Sequence, residues 1–381
     1  VERSRGLGDV YKRQLKTTAD AINKLRNDER SFIIITHYLR LLEYIEPDYV
    51  HVFQNGSVIE TGDKTLASRI DQEGIQLMKT LKPSIMELTD NFSIETNSKD
   101  LSISHEIIND ELKLKITSNY SQIPSRIKLI SSNRSNFKII ADIYLNENAT
   151  LEIIDENDYI IDTSFIFKSF LGSRSVLELY RFNKFQSDTN NSFVHTCNMS
   201  NGSMFKDFNF TNGSDFTNNE TKINLNEENA KYVGSGVVMS NSSKCENNLE
   251  IRHLSKSAVS DCSFKAVTRG SSNVSFKGKV FVDENCSNTQ SNQISKGLLI
   301  DEESKINLTP ILEINNDDVV CSHGAASGKA DEEVLFYLAS RGISKSEAER
   351  IYIQGFLSEF IEKIEDAEMQ AKGQNFINEN C

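Results

Sequence analysis

From Asp100 to about Val320 the chain is a succession of short alternating segments, and this pattern limits its possible folds more than any other feature. ELKLKI from Glu111 is followed by IKLI, FKIIADIYL, ATLEII, VLELY, TKINL, LEIRHL, VSFKGKVFV and ILEI, with turns of Asn, Ser, Gly and Asp between them and no long helix. A period of two sends successive side chains to opposite faces, so each segment reads as a strand with one apolar face. A related turn recurs at Leu145-Asn-Glu-Asn-Ala, Leu225-Asn-Glu-Glu-Asn-Ala, Val282-Asp-Glu-Asn and Ile300-Asp-Glu-Glu-Ser, at irregular intervals that set no fixed period. A sandwich and a β-helix fit this pattern equally well.

Composition narrows the function. A net charge of −13 without any Lys/Arg-rich run argues against a nucleic-acid phosphate surface. No apolar run approaches the roughly 18 residues needed to span a bilayer, and no signal-peptide core stands at the N-terminus, which predicts no membrane association and a cytoplasmic location. The six cysteines, at 197, 245, 262, 286, 321 and 381, form no CxxC and no regular framework, so they read as free thiols of a reducing compartment. The sequons at Asn198, Asn201, Asn209 and Asn212 follow from an Asn-rich composition.

Chemistry concentrates in Asp317 to Ser344, DDVVCSHGAASGKADEEVLFYLASRGIS. Alternation over Asp317 to His323 puts Asp317, Val319, Cys321 and His323 on one face, so a thiol and an imidazole stand side by side. Gly324 to Gly328 reads as a small, flexible hinge. Asp331 then opens a helix with apolar Val334, Leu335, Leu338 and Ala339, and Gly342 closes it. Two donors do not complete a tetrahedral site, so at least two ligands must come from elsewhere in the chain, from water or from a partner; a packed Cys and His at a strand end is the plain alternative. His195-Thr196-Cys197 repeats the arrangement in reverse and reads as structural. No nucleophile elbow, metalloprotease His pair or dinucleotide fingerprint occurs, and the chain reads as a non-enzyme.

The run D-D-V-x-C-S-H-G-A followed by D-E-E-x-x-F-Y-L-x-S-R-G-I closely resembles the SufD branch of the SufB/SufD family, the scaffold of the SUF iron–sulfur cluster assembly system. In the SufB branch acidic residues flank the equivalent His; here Ser322 and Gly324 do, which favours SufD. Ala326 departs from the Thr usual in the family. The resemblance implies a mainly β fold, a right-handed parallel β-helix over residues 86–325 with a C-terminal helical domain over 326–381. LEIRHLSKSAVSDCSFKAVTRGSSNVSFKGKVFV and SKGLLIDEESKINLTPILEINNDDVVCSHGA match the family's closing coils, and the match before about Ser173 is weaker. It further implies a non-catalytic subunit pairing with SufB through the β-helices and carrying SufC on the helical domain. His323 would be a ligand to a transient iron–sulfur cluster shared with SufB, opposite a SufB cysteine, and Cys321 a secondary thiol. Ser344 and Glu347 form a capping box, after which Ala348, Ile351, Phe356, Phe360 and Ile364 make an apolar stripe.

The N-terminal quarter has a different character. Val1 to Gln14, VERSRGLGDVYKRQ, resembles a translated sequencing adapter and is set apart from the fold. In residues 15–82, Ala19, Ile22 and Leu25 fit one helix face, Ser31 to Thr36 reads as a buried strand ending in His37, and Asn55-Gly56 between apolar runs signals a hairpin. Strand-then-His followed by DYVHVFQNGSVIETGD resembles the C-terminal part of an ABC-type ATPase, most closely the SufC branch, so this piece reads as a small α/β fragment. In that family the His contacts the γ-phosphate of ATP, which would carry over to His37. The phosphate loop is missing: Gly324-Ala-Ala-Ser-Gly328-Lys329-Ala330 is one residue short and lacks the hydroxyl. ATP would therefore act only through an intact SufC partner. An extracellular β-helix, an adhesin or polysaccharide-binding protein, is the alternative from another class.

Overall fold

The computed structural model describes residues 84–381, apart from 90, 91, 110, 132–135, 187 and 214. Of the first 83 residues it describes 19, 22, 23, 25, 44, 45, 47–54, 57–62 and 66. The chain divides into two compact units, Val1–Lys82 and Pro83–Cys381. In the first, β1 (Val50–Gln54) and β2 (Ser57–Gly62) form an antiparallel hairpin with Gln54 opposite Ser57, the two-residue connection that Asn-Gly favours. Ala19 is buried with Ile45, whereas Leu25, expected on the same helix face, is half exposed. The strand expected over residues 31–36 and His37 lie outside the described residues.

The second unit is a parallel β-solenoid, so the sandwich reading falls away. Its strands are β3 (Ser84–Thr89), β4 (Phe92–Thr96), β5 (Leu101–Ile108), β6 (Glu111–Ser118), β7 (Ser125–Ser131), β8 (Phe137–Leu145), β9 (Thr150–Asp155) and β10 (Asp158–Tyr159). Then come β11 (Thr163–Leu171), β12 (Val176–Phe185), β13 (Asn190–Met199), β14 (Met204–Asn212), β15 (Phe216–Leu225) and β16 (Lys231–Asn241). The series ends with β17 (Lys244–His253), β18 (Val259–Arg269), β19 (Asn273–Val282), β20 (Thr289–Leu299), β21 (Lys305–Ile314) and β22 (Val319–Lys329). One sheet runs β22-β20-β18-β16-β14-β12-β9-β7-β4-β3 with β10 beside β12, the other β21-β19-β17-β15-β13-β11-β8-β6-β5. Each coil thus contributes one strand to each sheet, and coils pair in parallel. Only β3–β4, β4–β7 and β5–β6, at the N-terminal end, are antiparallel.

Coil length explains the irregular turn repeat. Leu145, Leu171, Met199, Leu225, His253, Val282 and Ile314 are direct neighbours up one ladder, with spacings from 26 to 32 residues. The turns after Leu145, Leu225 and Val282 therefore occupy one corner, three and two coils apart, while the turn after Ile300 lies at the opposite corner. At the first corner Asn148, Arg174, Gly202, Asn229, Ser257 and Asn288 all take left-handed φ of 56° to 63°. A small residue with no exposed surface follows each: Ala149, Ser175, Ser203, Ala230, Ala258 and Thr289. The left-handed residue reverses the chain, for which Gly and Asn carry the least steric penalty, and the small residue lets the next coil sit close. Met204 N–H to Ser175 O, at 2.9 Å, and Lys231 N–H to Ser203 O, at 2.8 Å, carry the stacking across that corner.

Three helices follow: α1 (Glu332–Ser340), α2 (Lys345–Ile361) and α3 (Ala367–Asn380). Asp331 caps α1, and Ser344 caps α2 by accepting from the Glu347 N–H, as the capping-box sequence predicts. Gly342, at φ 85°, ends α1. Helices α2 and α3 lie on the outer face of the sheet that ends in β22. There Ile353, Leu357, Phe360, Ile361, Met369 and Phe376 meet Tyr180, Phe182, Phe208, Phe210, Val237 and Met239. Of the expected stripe, Ala348, Phe360 and Ile364 are buried and Ile351 is exposed; Ile353 and Leu357 take the inner positions instead. Cations on the sheet pair with acids of the helical unit, among them Lys265–Glu359 on α2 at 3.0 Å and Lys206–Glu365, between α2 and α3, at 2.7 Å.

Phe210 is the keystone of that contact. It is fully buried, stacks on Phe182 with centroids 5.0 Å apart, and meets Phe360 and Phe376 at 5.3 and 5.8 Å. Phe210→Ala is expected to lower stability by about 3–5 kcal/mol and to speed amide exchange chiefly in α2 and α3. A loss below about 1 kcal/mol in urea unfolding would show that the helices do not depend on this ring.

Candidate functional site

The site expected at Cys321 and His323 lies on β22, which among the described residues is the last strand of its sheet and pairs only with β20. Alternation holds along β22. Val319 and Cys321 pack against the apolar interior, and Ser322 points outward, its hydroxyl donating to Asn292 Oδ1 at 2.9 Å. His323 shares the side of Cys321 but is exposed, because no further coil covers it. Residues 324–328, expected as a hinge, instead continue β22 in register with Ile294 to Leu298, so neither hinge nor phosphate loop forms there. A Cβ at Gly324 or Gly328 would meet nothing within 4 Å. The turn to helix comes after Lys329.

Beneath these residues lies a polar layer. Thr289, Ser291, Gln293 and Ser295 of β20 are the ladder neighbours of Val319, Cys321, His323 and Ala325, and all four are buried. Partial burial pushes the Cys321 thiol up, with the Ser291 backbone opposing it. A protonated thiol is a poor ligand until a metal displaces its proton, whereas neutral imidazole binds directly. Among the described residues no three His, Cys, Asp or Glu side chains gather as a metal site. What the last coil presents is two donors at an open end.

The comparisons with known proteins bear on this arrangement. The family model described as "SUF system FeS cluster assembly, SufBD core domain" matches residues 130–356, more than half of the chain and including β22. The chain belongs to the SufBD family. The iron–sulfur cluster assembly protein SufD of Escherichia coli (strain K12) is 29% identical over 158 residues, 41% of this chain and 37% of that protein. The chloroplastic protein ABCI7 of Arabidopsis thaliana is 37% identical over 126 residues, 33% of this chain and 25% of that protein. The probable ATP-dependent transporter SufC of E. coli (strain K12) is 52% identical over 60 residues, 16% of this chain and 24% of that protein. This last match falls at the N-terminal end, where the sequence resembles SufC. The chain thus spans between about a quarter and just over a third of the length of these relatives.

The second Cys–His pair of this SufBD chain is closed off. His195 and Cys197 are buried inside the solenoid, and His195 Nε2 meets Ser169 Oγ at 2.8 Å. Burial, then the nearby Arg181 cation, lowers the His195 pKa to about 3. His253, buried against Ser260, falls to about 4 through burial. Helix α1 has no buried residue, and Phe336, Tyr337 and Val334 are exposed. Sequence reasoning missed the polar layer under His323, although its source is legible in the run Thr289-Gln290-Ser291-Asn292-Gln293, whose odd positions all turn inward.

Two measurements follow from these environments. An unfolded His titrates near 6.5 and folded His195 near 3, so between those values only the unfolded chain binds the proton. Stability is full above about pH 6.5 and falls as pH drops toward 3, by up to about 1.4 kcal/mol per pH unit for this one group. His195→Gln should flatten that slope, and an unchanged slope would exclude the assignment. In the native protein, alkylation read by mass spectrometry should label Cys321 and Cys381, each more slowly than free cysteine and faster as pH rises, because burial raises both thiols. Cys197, Cys245, Cys262 and Cys286, all buried, should stay unlabelled.

Proposed function

We propose that the chain is a SufD-type scaffold subunit, which builds iron–sulfur clusters together with SufB-type and SufC-type partners and carries no bond-making step of its own. The observation behind this reading is the open last coil, where among the described residues β21 and β22 have no outer neighbour and β22 offers His323 and Cys321. Iron needs more donors than two, and a second chain docked on this end would supply them. Edge strands also hold unpaired backbone groups ready for another strand, and open space around Gly324 and Gly328 leaves room for close backbone approach. The SufB-type partner therefore pairs here, through the β-helix.

The cluster is cargo in this reading, held transiently and shared with the SufB-type subunit. His323 is the main ligand because its ring is exposed, and Cys321 is a second, slower one. The helical unit receives the SufC-type subunit, α2 and α3 being committed to the sheet while α1 keeps Phe336 and Tyr337 outward. ATP enters only through that partner. Membership of the SufBD family supports this role over an extracellular adhesin. A cytoplasmic location fits it, and no helix of the described residues is long and apolar enough to cross a membrane.

In a complex reconstituted with SufB-type and SufC-type subunits, His323→Ala should lower the iron and sulfide incorporated by about tenfold or more while the complex still elutes intact. Loss of the complex instead would make His323 a packing residue. Phe336→Asp should weaken capture of the SufC-type subunit alone, since burying an unpaired charge in an apolar contact costs several kcal/mol. Unchanged capture would remove α1 from that interface.

A further inference from the structure

We infer that Gln293 is a positioning residue for His323: its amide oxygen accepts the ring N–H of His323, fixing the tautomer and turning the other ring nitrogen toward the metal. The inference rests on the reading of His323 as a ligand. Gln293 and His323 are direct ladder neighbours with side chains on the same side, one coil apart. Gln293 is only 1% exposed, and its side chain crosses the interior to the opposite sheet, where Nε2 donates to Gly278 O at 3.3 Å. Gly278 makes the notch for the whole amide, since a Cβ there would come within 2.5 Å of Nε2 and 2.7 Å of Oε1. A backbone carbonyl can only accept, so it fixes the nitrogen at Gly278 and leaves Oε1, which lies beside the same glycine, as the end without a donor. Among the described residues Oε1 is buried without a hydrogen-bond partner.

A buried amide oxygen without a donor is destabilising, a penalty that a Leu of similar size would avoid. The donor that register brings to it is the His323 ring, which is exposed and so turns between rotamers quickly. Imidazole ligands bind metal through one nitrogen while the other donates to an acceptor behind, and losing that acceptor commonly weakens metal binding about 10–100-fold. The residue below Gln293 on the same ladder is Cys262, a buried thiol and a weak acceptor, so Gln293 is the acceptor next to the ring.

Nitrogen-15 NMR of the full chain with labelled histidine, the His323 signal being assigned by its loss in His323→Ala, reads the tautomer in the metal-free protein. Wild type should show one tautomer in at least about tenfold excess, the ratio that 1.4 kcal/mol of hydrogen bonding produces. Gln293→Leu should bring the two forms within about threefold, with the melting temperature unchanged or raised, since it removes the orphan oxygen. Gln293→Glu, which keeps an acceptor, should restore the bias. A tautomer ratio unmoved by Gln293→Leu, or lost equally in Gln293→Glu, overturns the inference. If instead the ratio moves as stated but His323→Ala leaves cluster yield intact in the reconstituted complex, the positioning contact stands and the ligand role fails.

Discussion

Parallel hydrogen bonding between coils is the constraint on which the rest of the second unit depends. It holds each inward residue directly over its equivalent one coil back, so that Leu145, Leu171, Met199, Leu225, His253 and Val282 share one line. A slip of one residue would turn every apolar side chain outward. The corner geometry guards against this, because a left-handed residue followed by a small buried one recurs at the same place in each coil. Growth in length is absorbed in the loops: the spacing reaches 32 residues between Val282 and Ile314 while the ladder stays in step.

The same geometry decides what was legible in the sequence. Segments such as FKIIADIYL and VSFKGKVFV read as strands because one face is apolar and the other meets water. Strands β14, β16 and β18 lack that signal because α2 and α3 cover their outer face; Val237, Val238 and Met239 are buried in succession. Strands β13 and β20 hide for the opposite reason, with Asn191, His195, Ser291 and Gln293 facing inward. At the site, alternation alone places Cys321 and His323 on one side. That the first is half-buried and the second exposed follows from β22 being the final strand, which no local pattern encodes. The glycines at 324 and 328 suggest a hinge for the same reason, since pairing with β20 is a property of the ladder and not of the segment.

The helices divide the surface unevenly. Aromatic residues of β12 and β14 stack along the ladder, Tyr180 on Phe208 and Phe182 on Phe210, and form the platform that α2 and α3 cover. Gly373 of α3 permits the close approach, since a Cβ there would stand 2.9 Å from both Phe210 and Ile361. Helix α1 takes no part in that platform and keeps its aromatic residues outward. One part of the helical unit is fixed to the solenoid and another is free to contact something else, although a single run of sequence encodes both.

A stack in which each coil touches mainly its two neighbours behaves as a nearly one-dimensional system, with stability summed from coils and the interfaces between them. The final coil, β21 and β22, has one interface where interior coils have two. It is the place where fraying costs least. A chain that docked there would supply the missing interface as well as metal donors, so cluster-site assembly and local folding would draw on the same free energy. The order of the last coil would then rise with the concentration of its partner, by ordinary mass action.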